Sequence, residues 1–388
     1  MLTLILIMFA CDKVKNLKSL HKLLDENLKY TLALSKVPRI GNETAKKLIA
    51  FAGSATDVFR LSKKSIGENA EISEKLIDEI QKFNDFGSID RELRFIENNH
   101  IDVILWDEKR YPARLKECKD APVFLFTKGK MTLEVPKVIA IVGTRNATQY
   151  GKEMCKKLIQ SILPHQPLIV SGLALGIDIA AHKEALQAGL QTVCVLGHGL
   201  DKIYPQSNSS VADKMLENGG WISEYFSGTI PDKNNFPMRN RIIAGLCDAV
   251  IVVEAAQKGG ALITARIANS YNRDVFAVPG RVGDVFSQGC NYLIRTNQAA
   301  MIESGEDIEY LLGWKKTSKP ANLQPKLMLD LNPEEAKIVE MLRSYDFLAI
   351  DDLSAKTEIS LGQLSATLLT LEMKDIVASM PGKIYKLL

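Results

Sequence analysis

The sequence predicts an α/β protein: a parallel sheet covered by helices on both faces, preceded by a helical module and followed by a three-helix unit with a small hairpin. Three observations carry this. Between residues 136 and 310, apolar β-branched runs at 138–142, 168–171, 192–196, 249–253 and 274–278 alternate with helix-like stretches at 150–162, 176–188, 208–218, 238–246 and 261–271. The apolar runs lack polar alternation, as strands buried on both faces do. Three of them end in small residues or glycine just before a helix pattern, at Gly143-Thr-Arg-Asn-Ala-Thr148, at Ser171-Gly-Leu-Ala-Leu-Gly176 and at Glu254-Ala-Ala-Gln-Lys-Gly-Gly260. Parallel folds build anion sites this way, because glycine admits a ligand to the backbone and a helix start offers unpaired N–H groups. The alternation gives an extended Rossmann-like core whose turns share one crevice at the carboxyl ends of the strands.

The chain of 388 residues is long enough for two or three domains. Its apolar content of 46% and charged content of 24% are those of an ordinary globular protein. A net charge of +3 names no partner, so any nucleic-acid footprint has to come from local placement of cations. The six cysteines are scattered without a Cys-x-x-Cys pair. That fits reduced structural thiols in the cytoplasm and offers no metal site. Met1–Ala10 is apolar and precedes Cys11, faintly like a lipoprotein signal. It lacks a basic start and is too short to span a bilayer, so residues 1–25 read as an extension of uncertain role and no membrane partner is expected.

Residues 26–83 read as a helical module, with helices over 28–34, 44–51, 55–61 and 73–83. The turn Val37-Pro-Arg-Ile-Gly41 makes it resemble a helix-hairpin-helix or SAM-like unit. Such a turn either holds a DNA phosphate or is an ordinary glycine-capped helical hairpin. The core is expected over 84–312. Its opening stretch, to about residue 135, is a connecting segment with strands at 101–106 and 121–126 and a turn-plus-helix at 111–115. Lysines and two prolines mark 313–329 as a linker. Residues 330–388 follow with an Asn332-Pro N-cap, helices at 336–342, 349–356 and 360–373, and strands at 376–380 and 384–388. This is a winged-helix pattern, but its third helix is poor in basic residues, which favours a protein contact over duplex DNA.

Three chemistries compete for the crevice. A dinucleotide enzyme needs Gly-x-Gly-x-x-Gly and a ribose-binding acid, and neither is present. A nucleotide-phosphate-binding hydrolase would use Gly259-Gly260 as a cradle, with Asp178, His182 and Glu224 as candidate acids or bases. Asp178 and His182, four apart on one helix, equally fit a helix-dipole partner and a packed neighbour. Glu254 ends a strand where it can orient cations. A phosphodiester chain suits Arg145, Lys233, Arg239, Arg241, Lys258 and Arg266 near the rim, with Phe236 as a stacking platform.

A longer series then stands out: Ile141-Val-Gly-Thr-Arg145, Ser171-Gly-Leu-Ala174, Gly176-Ile-Asp178, Leu196-Gly-His-Gly-Leu-Asp201 with Tyr204-Pro205, Phe236-Pro237 with Arg239-Asn-Arg-Ile-Ile243, Leu262-Ile-Thr-Ala265 and Phe276-Ala-Val-Pro-Gly280. It resembles the bacterial DNA-processing protein A family, DprA or Smf, over about residues 100–310. The resemblance implies a non-enzymatic protein of natural transformation, without a cofactor. Such a protein binds and protects incoming single-stranded DNA, forms a homodimer through its core and loads the RecA recombinase. By position it implies a DNA-binding set of Gly143, Thr144, Arg145, Ser171, Gly172, Lys233, Phe236, Arg239, Arg241, Gly259 and Gly260, with no catalytic residue. The chain departs from the family pattern at Leu175, where an arginine is usual, and at Lys258-Gly-Gly-Ala261. The nucleotide-phosphate hydrolase remains the alternative.

Overall fold

The computed structural model describes residues 26–62, 73–314, 332–343, 345, 347–374, 376–380 and 383–387. The described residues up to 314 form one compact unit and those from 332 onward a second. The expectation for residues 1–25 lies outside the described residues, as does the linker beyond 314. Gly313 and Trp314, expected to open that linker, still belong to the first unit, where the Trp314 ring lies 5.1 Å from His165.

The first unit is built on nine strands: β1 (Asp102–Leu105), β2 (Phe124–Lys128), β3 (Val138–Val142), β4 (Leu168–Ser171), β5 (Thr192–Val195), β6 (Gly219–Ser223), β7 (Ala249–Val252), β8 (Asp274–Ala277) and β9 (Ala300–Met301). Their order is β1-β2-β6-β5-β4-β3-β7-β8-β9. From β6 to β9 every pair is parallel, while β1 and β2 extend the sheet as antiparallel strands. The core enters at β3 in the middle, builds outward through β4, β5 and β6, then crosses back to β7. The crossing leaves a crevice between the carboxyl ends of β3 and β7, where ligands bind open α/β sheets.

All five residues of β3 are buried, and their alternation divides the core. Val138, Ala140 and Val142 pack beneath helices Asn235–Leu246, Gly260–Ser270 and Gln288–Arg295. Ile139 and Ile141 face the other way, toward helices Gln149–Ile162, Ile177–Gln187 and Gly305–Leu311. The helix expected from residue 238 starts at 235, and Pro237 sits in its first turn, where a missing N–H costs nothing.

The N-terminal helices, 26–36, Asn42–Ala52, Ala55–Val58 and Glu74–Lys82, bury Leu32, Leu48, Ile77 and Ile80 in a third cluster shared with Phe124 and Phe126 of β2. The expected connecting segment contains a further helix, Phe86–Asn98, which docks through Ile89 and Ile96. Its apolar spacing was there to read, but Gly87-Ser88 at its start obscured it. Strands β6 and β9 and the helices at 288–295 and 305–311 were also unforeseen.

The second unit holds helices Pro333–Arg343, Ile350–Thr357 and Leu361–Met373. Strands β10 (Leu348–Ala349), β11 (Val377–Met380) and β12 (Ile384–Leu387) form a sheet in the order β10-β12-β11. Asn332 caps the first helix reciprocally with Glu335: each backbone N–H donates to the other's side chain, at 3.0 and 2.8 Å. Ile338, Leu353, Leu364 and Leu368 form its core. Three helices and a wing are the winged-helix arrangement, with β10 added.

Among the described residues no helix is long and apolar enough to cross a membrane, and no cluster of ligating side chains suits a metal. The five described cysteines are free and buried.

Candidate nucleic-acid interface

The crevice is held by latches between neighbouring loops. The loop after β3 is fixed to the end of β7, because the Thr144 N–H donates to the Glu254 carbonyl at 2.7 Å. The Thr144 carbonyl in turn accepts from the Ile177 N–H at 3.1 Å. Gly176, at φ 81°, passes so close that a Cβ there would sit 2.1 Å from the Thr144 oxygen, so only glycine fits. The Glu254 carboxylate is buried and accepts from the Thr148 backbone at 2.9 Å and from its hydroxyl. Glu254 therefore positions the loop that carries Arg145, instead of orienting a cation as expected.

A cavity of about 720 Å³ opens above these loops. Of the expected DNA-binding set, Gly143, Thr144, Arg145, Lys233, Phe236, Arg239, Gly259 and Gly260 line it, and Lys258 joins them. Arg145, Lys233 and Lys258 are exposed, whereas Arg239 lies buried in the floor. The Arg145 and Arg239 guanidinium groups sit 5.4 and 6.0 Å from the centroid of the Phe236 ring, within cation–π range. Gly259 starts helix Gly260–Ser270 with no side-chain cap, so the positive end of that helix is open at the cavity wall.

Arg239 owes its position to the strands beneath it. Its guanidinium donates to the Gly172 carbonyl at 2.8 Å and to the Val195 carbonyl, tying the ends of β4 and β5 together. Burial pushes its pKa down, and Asp178 beside it pushes back.

Three members of the expected set, and Arg266, depart from that site. Ser171 is fully buried and its hydroxyl donates to the Ile141 carbonyl at 2.6 Å. Gly172 lines only a side notch, and its N–H is taken by the Asp178 carboxylate at 3.2 Å, as is that of Ala174 at 3.4 Å. The β4 loop thus spends these N–H groups internally. A Cβ at 172 would meet the Arg239 guanidinium at 2.6 Å, so a larger residue there would displace Arg239 from its bonds to Gly172 and Val195. Arg241 points away from the crevice, since two residues along a helix turn the side chain by about 200°. It is buried in an ion pair with Glu224 and donates to the Asp120 carbonyl at 2.8 Å. The pair lines a separate cavity of about 370 Å³, together with Gly41 at the end of the helix-hairpin-helix-like turn and Asn42 at the start of the next helix. Val37 and Ile40 of that turn are buried, whereas Pro38, Arg39 and Gly41 are exposed. Arg266 is exposed but does not line the crevice.

The candidate acids and bases are likewise committed to structural partners. Asp178 caps the β4 loop, and burial raises its pKa more than Arg239 lowers it. Burial also raises that of Glu224, against the pull of Arg241. The Thr192 hydroxyl donates to the Ile169 carbonyl at 3.0 Å, so it accepts from His182 Nδ1 at 2.8 Å, leaving Nε2 without a partner. Burial, then Arg239, lower the His182 pKa from 6.5 to about 3. An unfolded histidine binds its proton near pH 6.5, so the contribution of neutral His182 is complete above that pH and is lost as pH falls toward 3. Wild-type stability should drop by about 2 kcal/mol more than that of His182→Gln between pH 7.5 and pH 5. Urea unfolding at the two pH values measures this, and equal drops would contradict it.

One lining residue carried no role in the sequence reading. Tyr204 stacks near-parallel to Phe236, with centroids 6.0 Å apart, and is about half exposed. Its signal was its place in the loop after β5, at the carboxyl end of a parallel strand.

Comparison with known proteins gives these features a context. Residues 102–313 match the family model described as DNA recombination-mediator protein A, and residues 320–383 match the DprA winged helix domain. Protein Smf of Synechocystis is 32% identical over 395 residues, covering 92% of this chain and 98% of that protein. The X-ray structure of DNA processing protein A from Streptococcus pneumoniae superposes with a TM-score of 0.62 at 35% identity, covering 73% of this chain and 97% of that one. A structure describing the single-stranded DNA binding mode of DNA processing protein A from Helicobacter pylori superposes with a TM-score of 0.50 at 33% identity, covering 55% and 95%.

Proposed function

We propose, from the premise that this chain belongs to the DNA recombination-mediator protein A family, that it binds single-stranded DNA in the crevice between β3 and β7. The observation that carries the reading is the composition of that crevice. Exposed Arg145, Lys233 and Lys258 ring an uncapped helix start, beside the aromatic pair Phe236 and Tyr204. Cations that follow a phosphodiester backbone, with rings for unpaired bases, suit a strand of any sequence. A duplex hides its bases and leaves such rings without a partner.

Within this reading the protein protects incoming single strands during natural transformation and delivers them to the RecA recombinase, as a cytoplasmic homodimer joined through the core. It acts by binding, without turnover. The winged helix serves protein contact: helix Leu361–Met373 carries no lysine or arginine and exposes Leu369 and Met373.

Fluorescence anisotropy of a labelled strand of about 30 nucleotides, with duplex of the same sequence as competitor, tests the reading. The expected result is sequence-tolerant binding that weakens with salt and that duplex does not displace. Absence of binding at low salt by folded protein would overturn it.

A further inference from the structure

Beside the main cavity lies a notch of about 50 Å³ lined by Leu175, Tyr204, Pro205, Phe236 and the Arg145 and Arg239 side chains. Its makeup differs from that of the cationic rim. Leu175 and Tyr204 are 47% and 49% exposed, a high exposure for two large apolar side chains that share one notch. Phe236 is less available than its sequence position suggests. It packs against Gly197, where an added Cβ would meet its ring at 3.1 Å, and both guanidinium groups crowd it. Tyr204 is thus the more open ring of the stacked pair. A phosphate gains nothing from a leucine and at most one hydroxyl hydrogen bond from a tyrosine, whereas the flat face of an unpaired base gains from both apolar surfaces.

We propose that Tyr204, backed by Phe236 and with Leu175 lining the same notch, is the platform for an unpaired nucleobase. The notch is too small for a whole nucleotide and takes the edge of the base, with the Arg239 guanidinium at its floor. Arg145, which lines both the notch and the main cavity, places the adjoining phosphate beside the stacked base. The proposal rests on the single-strand reading and deepens it: it separates a base-recognising region of the site from its phosphate-recognising region.

The test uses the full chain and two labelled strands of equal length, one with ordinary bases and one with abasic spacers on the same phosphodiester backbone. Tyr204→Leu should weaken the base-bearing strand about five-fold or more while leaving the spacer strand and the salt slope unchanged. Tyr204→Phe should restore wild-type affinity for both. Leu175→Arg, which adds a cation to the notch, should tighten both strands and steepen the salt slope by about 0.7. If Tyr204→Leu weakens both strands equally, or neither, the platform is overturned while the single-strand reading stands. If the wild-type protein binds neither strand at low salt, both fall together.

Discussion

Replacing Arg241 by methionine is expected to cost about 3–5 kcal/mol of stability, because it strands the Glu224 carboxylate in a buried site. Both side chains of the pair are largely shielded, at 6% and 13% exposure. Burial already raises the Glu224 pKa, and Arg241 is the main force holding it down. Arg241→Glu should be worse still, since two carboxylates would share the pocket. Thermal unfolding followed by circular dichroism should show a midpoint lower by about 10 °C for Arg241→Met. The double variant Arg241→Met/Glu224→Leu should recover most of the loss, since a buried pair swapped for apolar residues is often neutral. It should also bind single strands as the wild type does, because Arg241 lies outside the crevice. A change below about 0.5 kcal/mol in the single variant would speak against a buried pair. A folded double variant that no longer binds would return Arg241 to the interface.

Arg145→Glu is expected to lower affinity for single strands about ten-fold or more at low salt, with the fold unaffected. Arg145 is exposed, lies over the Phe236 ring and, among the described residues, pairs with no carboxylate, so its replacement breaks no ion pair there. On the single-strand reading, the substitution removes one phosphate contact and sets a negative charge against the backbone. The slope of log affinity against log salt should therefore flatten by about 0.7 for the lost contact. Anisotropy titrations at several salt concentrations, with circular dichroism as the fold control, measure both quantities. Unchanged affinity and slope would remove Arg145 from the phosphate path.

The sheet was legible because β3 and β7 are unbroken apolar runs, and β4, β5 and β8 carry three consecutive apolar or thiol residues beside one polar end residue, which is the signature of burial on both faces. β6 was not, because Gly219-Gly220 opens it and reads as a turn. At the site, the loops carrying Arg145 and Gly259-Gly260 were legible from their place after strands. Arg239 and Arg241 looked equivalent in the sequence, and only the helix that carries them separates a crevice floor from a buried pair on the far side. The β4 loop looked like a phosphate cradle until Asp178 was seen to occupy its N–H groups. An aspartate in the first turn of the helix after such a loop is a signal that the cradle is already filled.

The way Arg239 ties β4 to β5 has a kinetic consequence. On the single-strand reading, the floor of the crevice is already tied together by Arg239 in the unbound structure, so capture is expected to need little ordering of side chains there. Encounter is then governed by the exposed cations at the rim, and the association rate should fall steeply with ionic strength. On that reading, the site is a preformed seat that a strand enters at a rate set by the rim, not by a rearrangement of the protein.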